Sequence, residues 1–433
     1  MKKFLALLYL VAVTFLLGVQ QVSAQSAILN APSDVCKGSF ATMNAHLTST
    51  DPNGALTWTL TSSPGSFTTL YGNFSGQSSG GANTNNTTVS VQFNAVGSYT
   101  FTIDIPWKDD HHNKGHLTLT KTIVVHDCSI DVCYGIDNSG TGFSEDFGKI
   151  TDGLRHQVQP PATISYTFQG GTNNVEDNYY CVATSTFQHD GWVNKPDHTD
   201  GVPGGTGAML VCNSQNQGLA FYSRRIDGLC PGAKYNFTSY FMNLNTQDIL
   251  ENTCAGGYMY AGVDFQIINA ANNALLATFP TYDVSMGIPV STWQQYGGTF
   301  KTPPGVTSII FQMVNRNPGG CGNDIAVDDI NFQYCGPKMY TYIDGLKGLT
   351  SNSICQNQAV NLTGSVSPSS YFTNPVYYWQ DSIAGQPGWT DIVIDGSLFS
   401  KLNDSTLHIS GDVLLPSGAN PLSYYFRVKV VEN

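Results

Sequence analysis

The sequence predicts an all-β protein: an immunoglobulin-like sandwich, then a β jelly roll, then a second immunoglobulin-like sandwich. Three observations predict it. Charged residues make up 12% of the 433, whereas Gly 44, Tyr 22 and Phe 22 are abundant; a typical globular domain carries ~25% charged residues. Short apolar runs alternate at period two between turn residues, and no stretch carries a capped 3.6-residue apolar period. A Cys–Trp–Tyr pattern also occurs twice, once towards each end of the chain. Composition limits function too. A net charge of −12 and a pI near 5.0 exclude a binder that tracks nucleic-acid phosphates, which needs a basic face.

The first element, residues 1–24, reads as a secretory signal peptide. Met1, Lys2 and Lys3 form a short basic start, Phe4 to Leu17 is apolar, and Val22-Ser23-Ala24 supplies small residues for cleavage before Gln25. The apolar run falls short of the ~20 residues of a stable membrane span; an uncleaved anchor is the competing reading. No later segment is apolar enough to cross a bilayer. Export makes disulfides the default for the ten cysteines. No Cys-x-x-Cys occurs, so a zinc site has little support.

Residues 25–129 and 338–433 carry the repeat. Cys36, Trp58 and Tyr99 in the first match Cys355, Trp379 and Tyr424 in the second. The strand Ser98-Tyr99-x-Phe101-x-Ile103-x-Ile105 aligns with Ser423-Tyr424-x-Phe426-x-Val428-x-Val430. Both alternate as strands with one buried face do. A core Trp facing a Tyr-bearing strand is the logic of an immunoglobulin-like sandwich; chance matching of two β-rich stretches is the alternative. Cys128 closes the first unit and is the natural partner of Cys36. The second unit stops nine residues after Tyr424, so its Cys355 has no matching partner and the unit reads as incomplete at its C-terminus. A free or differently paired Cys355 is the other reading.

Residues 130–337 hold nine strand candidates between Thr163 and Tyr334, spaced by turn signals as in a jelly roll. Cys254 and Cys321 both sit in glycine-rich loops and are expected to pair. Cys181 with Cys212, and Cys230 with Cys335, are further candidate pairs, which leaves Cys133 and Cys355. Sequence does not fix this connectivity.

Several motifs of the middle region are specific. They are FSEDFG at Phe143–Gly148, GWVNKPDHTDG at Gly191–Gly201, GTGAMLVCNS at Gly205–Ser214, GLCPGAKYNFTSYFMNLN at Gly228–Asn245 and PGGCGNDIAVDDINFQYCGP at Pro318–Pro337. Together, and in this order, they resemble the galactose-binding-like jelly rolls related to carbohydrate-binding modules of families four and nine. The version in large modular surface proteins of gliding Gram-negative bacteria is the nearest in pattern. The flanking units resemble PKD or immunoglobulin-like modules of the same kind of protein. The resemblance implies an extracellular, non-catalytic role in adhesion or glycan binding.

Three sets of residues are candidates for chemistry. Glu145 and Asp146 open the jelly roll, and Asp328 and Asp329 lie near its end. Adjacent first and last strands would let the two pairs converge on a structural Ca²⁺, which takes six to eight oxygen ligands and which related modules carry in such a place. Two solvated acidic pairs are the alternative. Trp192, Tyr258 and Tyr260 sit in loop-like surroundings and are the candidate platform for sugar rings, with core packing as the competing reading for Trp192. Trp293 reads as core-facing. The cluster from Asp109 to His116 offers imidazoles to a transition metal, but a solvated hairpin tip accounts for it better. Asp197-His198-Thr199-Asp200 reads as a loop pinned by side-chain to backbone bonds.

The expected function is that of a secreted or cell-surface binding and adhesion protein, not an enzyme. Its jelly roll would meet a polysaccharide or glycoconjugate surface, and the sandwiches would act as spacers. Nucleic acid is not an expected partner, and no membrane span is expected once the leader is removed. The alternatives are an ancillary region of a larger secreted polysaccharide-degrading enzyme and a structural surface-matrix protein.

Overall fold

A computed structural model describes residues 26–47, 51–52, 57–72, 86–108, 112–128, 136–137, 142–157, 165–171, 173–254, 257–288, 291–336, 338–347, 351, 353, 358–367, 373–383, 388–411 and 423–432. The leader at 1–24, Cys133, Cys355, Asp109, Asp110 and His111 lie outside the described residues. The fold is all β, in several sheets.

The N-terminal unit is two facing sheets. One runs Ala27–Asn30, Phe40–Leu47, Asn86–Phe93, Phe67–Tyr71; the other runs Asp34–Cys36, Lys114–His126, Gly97–Lys108, with Thr57–Ser62 paired to the last of these. Period-two patterning decides which side chains enter the core. Tyr99, Phe101, Ile103 and Ile105 are fully buried, and Trp58 pairs with Ile103 in register and is fully buried with them. The Tyr99 hydroxyl turns back to Ala95 O (3.0 Å) and Ser66 O (3.3 Å), so the buried phenol keeps its polar partners. Cys36 and Cys128 are bridged across 92 residues of sequence.

The middle unit packs an eight-stranded sheet on a four-stranded one. The larger contains, in order, Thr167–Phe168, Tyr179–Ala183, Met209–Cys212, Ile325–Cys335, Lys234–Asn243 and Gln294–Lys301. The smaller contains Ala220–Asp227, Ser308–Asn315, Ala261–Asn269 and Leu275–Val284. The first strand meets the last: Phe143–Glu145 pairs with Ile325–Cys335, Glu145 opposite Ile330. Between the sheets lie Phe237, Phe241, Phe265, Phe311 and Phe332, all at most 1% exposed. Tilted and edge-on ring contacts tie them together, such as Phe237 to Phe265 at 5.1 Å.

Cys254 and Cys321 are bridged, as the glycine-rich loops imply. Two other expected pairs do not form. Cys181 and Cys212 are free and buried, because they sit one residue out of register: Cys181 opposes Val211, and Cys212 opposes Tyr180. Side chains alternate across a strand, so Cys212 enters the core between the sheets while Cys181 enters the cluster around Trp192. Cys230 is a free, exposed thiol, whereas Cys335 is disulfide-bonded, so those two are not partners.

The last unit is again two sheets. One runs Leu346–Lys347, Lys338–Ile343, Val360–Ser367, Thr406–Ile409, Phe399–Asn403; the other runs Thr390–Asp391, Pro375–Ile383, Tyr424–Glu432. Trp379 packs between them with Leu362, Leu407 and Ile409. The repeated Trp is thus a core residue in both sandwiches, at 0% and 4% exposure.

Candidate functional site

The side chains expected to form a sugar platform are interior. Trp192 is 4% exposed and its Nε1 donates to Asp324 Oδ2 at 3.2 Å. Tyr258 and Tyr260 lie edge to face at 4.9 Å and are similarly buried. The Tyr258 hydroxyl donates to Asn243 Oδ1 (3.1 Å), and the Tyr260 hydroxyl donates to Thr42 O of the N-terminal sandwich (2.7 Å). These rings therefore offer no flat face to a ligand. The segment bearing Tyr258 and Tyr260 is held to the N-terminal sandwich at Asn30 and Thr42 and lies beside the Cys254–Cys321 bridge.

The four carboxylates do not converge either, although their strands are neighbours. Glu145 Oε2 faces the Arg224 guanidinium at 3.4 Å, and Asp146 Oδ1 accepts the Gly148 N–H at 3.0 Å. Asp328 is fully buried and spent on backbone donors: Oδ2 takes His198 N (2.8 Å) and Thr199 N (3.3 Å), and Oδ1 takes Asp329 N (2.8 Å). Desolvation pushes the Asp328 carboxyl up to about 8. Asp329, at φ 48°, swings outward to His198 Nδ1 (2.5 Å) and Thr199 Oγ1 (2.7 Å). Each of the four carboxylates is engaged within the protein, Glu145 by a cation and Asp146, Asp328 and Asp329 by neighbouring donors. No group of three metal-ligating side chains occurs among the described residues.

These acids instead fasten a loop. His198 stacks on Tyr240 at 3.6 Å with its edge to Trp293. Asp197 Oδ2 accepts the Asp200 N–H at 2.8 Å. Gly207 is required beside it, because a Cβ there would fall 2.3 Å from Asp197 Oδ2. The DHTD segment and the glycines of GTGAML thus form one packed clasp, pinned from side chain to backbone. Of the histidine cluster, His112 and His116 are described: His112 is exposed at φ 63°, and His116 Nδ1 lies 2.8 Å from Asp104 Oδ2.

Exposed aromatic side chains concentrate in the last unit. Five aromatic side chains are exposed among the described residues: Tyr71, Phe187, Tyr378, Trp389 and Tyr425. Three of them share one sheet face. Strand Pro375–Ile383 pairs with Tyr424–Glu432 so that Tyr378 opposes Lys429, Gln380 opposes Arg427 and Ser382 opposes Tyr425. Strand alternation sends these six outward while Trp379, Phe426 and Val428 point to the core. Trp389 stands one residue before Thr390–Asp391, whose Asp391 opposes Gln380 on the other side.

A polar relay crosses the middle of that face. Arg427 Cζ lies 4.4 Å above the Trp389 ring, and its Nε donates to Gln380 Oε1 at 2.6 Å. Gln380 Nε2 then donates to Asp391 Oδ1 at 2.6 Å. The Tyr378 and Tyr425 residues are 52% and 55% exposed. On the inner side of the same strand the two sheets part into a cleft of about 490 Å³ lined by Tyr342, Tyr377, Thr363, Ser365 and Ser405. A second of about 670 Å³ shares Pro375, Tyr377 and Ser405 with it and adds Lys401 and Asp404. Flat rings with amide, hydroxyl and charged neighbours can stack on apolar faces and bond to hydroxyls at once. The sequence reading passed over this face because Trp389 lies in a polar, Gly- and Pro-bearing stretch. The available signal was the outward alternation of Tyr425, Arg427 and Lys429.

No family model matches the chain, and no curated protein sequence matches it. Among solved structures, the chain is similar to Bacteroides uniformis beta-glucuronidase 2 covalently bound to cyclophellitol-6-carboxylate aziridine, at 10% identity and a TM-score of 0.18. The likeness covers 71% of this chain and 30% of that one, so the chain spans under a third of that protein's length.

Proposed function

We propose that this is an exported, non-catalytic binding and adhesion protein whose contact surface for carbohydrate is the outer face of the last sandwich. The observation that carries the reading is the gathering of Tyr378, Trp389 and Tyr425 on one sheet face around a hydrogen-bonded Arg–Gln–Asp relay. Isolated exposed apolar residues are ordinary on a protein surface, whereas a cluster with ordered polar neighbours suits a ligand that is apolar on one side and hydroxylated at its rim. Export is supported by the leader-like start and by the Cys36–Cys128 and Cys254–Cys321 bridges, which persist in oxidising compartments. No helix among the described residues is long and apolar enough to cross a membrane. The jelly-roll motifs, similar to those of carbohydrate-binding modules, support the same class of role. Residues 25–129, 130–337 and 338–433 are the three units of this reading.

The test is a glycan array probed with residues 25–433, with and without a chelator, beside an assay for released reducing ends. The expected result is retention on at least one polysaccharide, unaffected by the chelator, with no reducing ends released. Failure to bind every immobilised polysaccharide removes the carbohydrate reading, and release of sugar removes the non-catalytic one.

A further inference from the structure

We infer that the ligand of the Tyr378–Trp389–Tyr425 face is an acidic polysaccharide, one whose sugar rings carry carboxylates. The inference rests on the carbohydrate reading above and deepens it from the charges on the same face.

The chain carries a formal charge of −12, yet this face presents two cations. Arg427 and Lys429 project outward from the same strand, and Asp391, the carboxylate beside them, is bonded to Gln380. The Arg427 side chain crosses the neighbouring strand to reach Trp389, held by Gln380 through Nε. That leaves its two terminal nitrogens without a hydrogen-bond partner among the described residues. A guanidinium so fixed offers paired N–H donors in the plane that a carboxylate matches. Ring stacking and the bond to Gln380 hold it in place before a ligand arrives, which lowers the entropy lost on binding.

The spacing agrees. Lys429 and Tyr425 are four residues apart on one strand, and Tyr378 lies opposite Lys429. The two tyrosines therefore stand roughly 14 Å apart along the strand, about three repeats of a linked pyranose chain, with Arg427 midway between them. A chain laid along the strand would stack a sugar on each tyrosine and bring the carboxylate of one of the two sugars between them to Arg427. Lys429, exposed and without a partner among the described residues, would meet the next carboxylate. A neutral polysaccharide would gain the stacking and leave both cations unmatched.

The experiment compares polygalacturonate with its fully methyl-esterified form, the same backbone without charge. Affinity electrophoresis and titration calorimetry use residues 25–433. The native sequence is expected to bind the acid at least about tenfold more tightly than the ester, a modest value for charge-assisted contacts. Arg427→Gln with Lys429→Gln should abolish that preference while keeping the weak binding to the ester. Tyr378→Ala with Tyr425→Ala should lose both. All four positions are on the surface, so an unchanged melting temperature certifies the fold. Equal affinity for acid and ester, or variants that bind like the parent, overturns the inference. So does binding to dextran sulfate that survives Tyr378→Ala with Tyr425→Ala, which would mean bare charge attraction. Binding to a neutral glycan that is lost in Tyr378→Ala with Tyr425→Ala but unchanged in Arg427→Gln with Lys429→Gln removes this inference and keeps the carbohydrate reading; binding to no glycan removes both.

Discussion

Asp324 illustrates how a single carboxyl can set the pH response of the middle unit. It is 7% exposed, and burial drives its carboxyl up to about 7. An unfolded Asp releases its proton near 4. Between these values the native state holds a proton that the unfolded state has lost, so stability falls as pH rises through that window. The contribution is fully present below about pH 4 and lost above about pH 7, with an upper limit of ~4 kcal/mol at 1.36 kcal/mol per unit. Asp328, up to about 8, and Asp283, also raised by burial, act with the same sign. Asp324→Asn cannot ionise but keeps an acceptor for the Trp192 indole. Its melting temperature should fall less between pH 5 and pH 8 than that of the parent; equal slopes would show that Asp324 does not titrate there. Trp192 was legible in the sequence as either a ring for sugar or a packed core residue. The choice turned on Asp324, 132 positions away, a distance over which local pattern carries no information.

At the scale of elements, alternation was legible and parity was not. Eight of the nine strand candidates contain a strand of at least four residues, while the first shrinks to Thr167–Phe168. The longest strand of the middle unit outside those candidates, Leu275–Val284, contains Pro280, which has no N–H for a ladder. The fold accommodates it at the edge of the four-stranded sheet, beside a register shift between Gly262 and Asp264. Parity also misled the cysteine pairing. Adjacent strands suggested a Cys181–Cys212 bridge, but an offset of one residue puts the two thiols on opposite faces. Burial pushes the Cys181 thiol up to about 12 and Cys212 well above its ordinary value. The reactive form of a thiol is its thiolate, so both should resist iodoacetamide in the native protein. Cys230, exposed and unpaired, should alkylate at once. Peptide mass mapping before and after denaturation reads this directly; a Cys181–Cys212 disulfide peptide, or rapid native labelling of either, would refute the register.

For the whole molecule, the N-terminal sandwich is a buttress of the jelly roll rather than a free spacer. Its strand Phe40–Leu47 alternates apolar and polar as if half-solvated, with Ala41, Met43 and Ala45 against Thr42 and Asn44. All five are fully buried, because the middle unit covers the polar face. Thr42 N donates to Ser285 Oγ (2.9 Å), Thr42 Oγ1 donates to Met286 O (2.6 Å), and Tyr258 N donates to Asn30 Oδ1 (3.0 Å). His126 stacks on Tyr282 at 3.8 Å, and Ser33 N donates to Asp283 Oδ2 at 2.8 Å. Buried hydrogen bonds of this kind are costly to break singly, since each loss strands a partner away from water. The two units should therefore open together, and Tyr260, which spans the junction, should couple them. In hydrogen exchange on the full chain, Phe40–Leu47 and Lys234–Asn243 should share one opening free energy. Tyr260→Ala removes a buried aromatic at a typical cost of ~3 kcal/mol and should speed exchange in Phe40–Leu47 more than in Lys234–Asn243. Independent opening in the parent would return the sandwich to the role of a spacer, and a uniform effect in the variant would show that the junction couples the units without Tyr260.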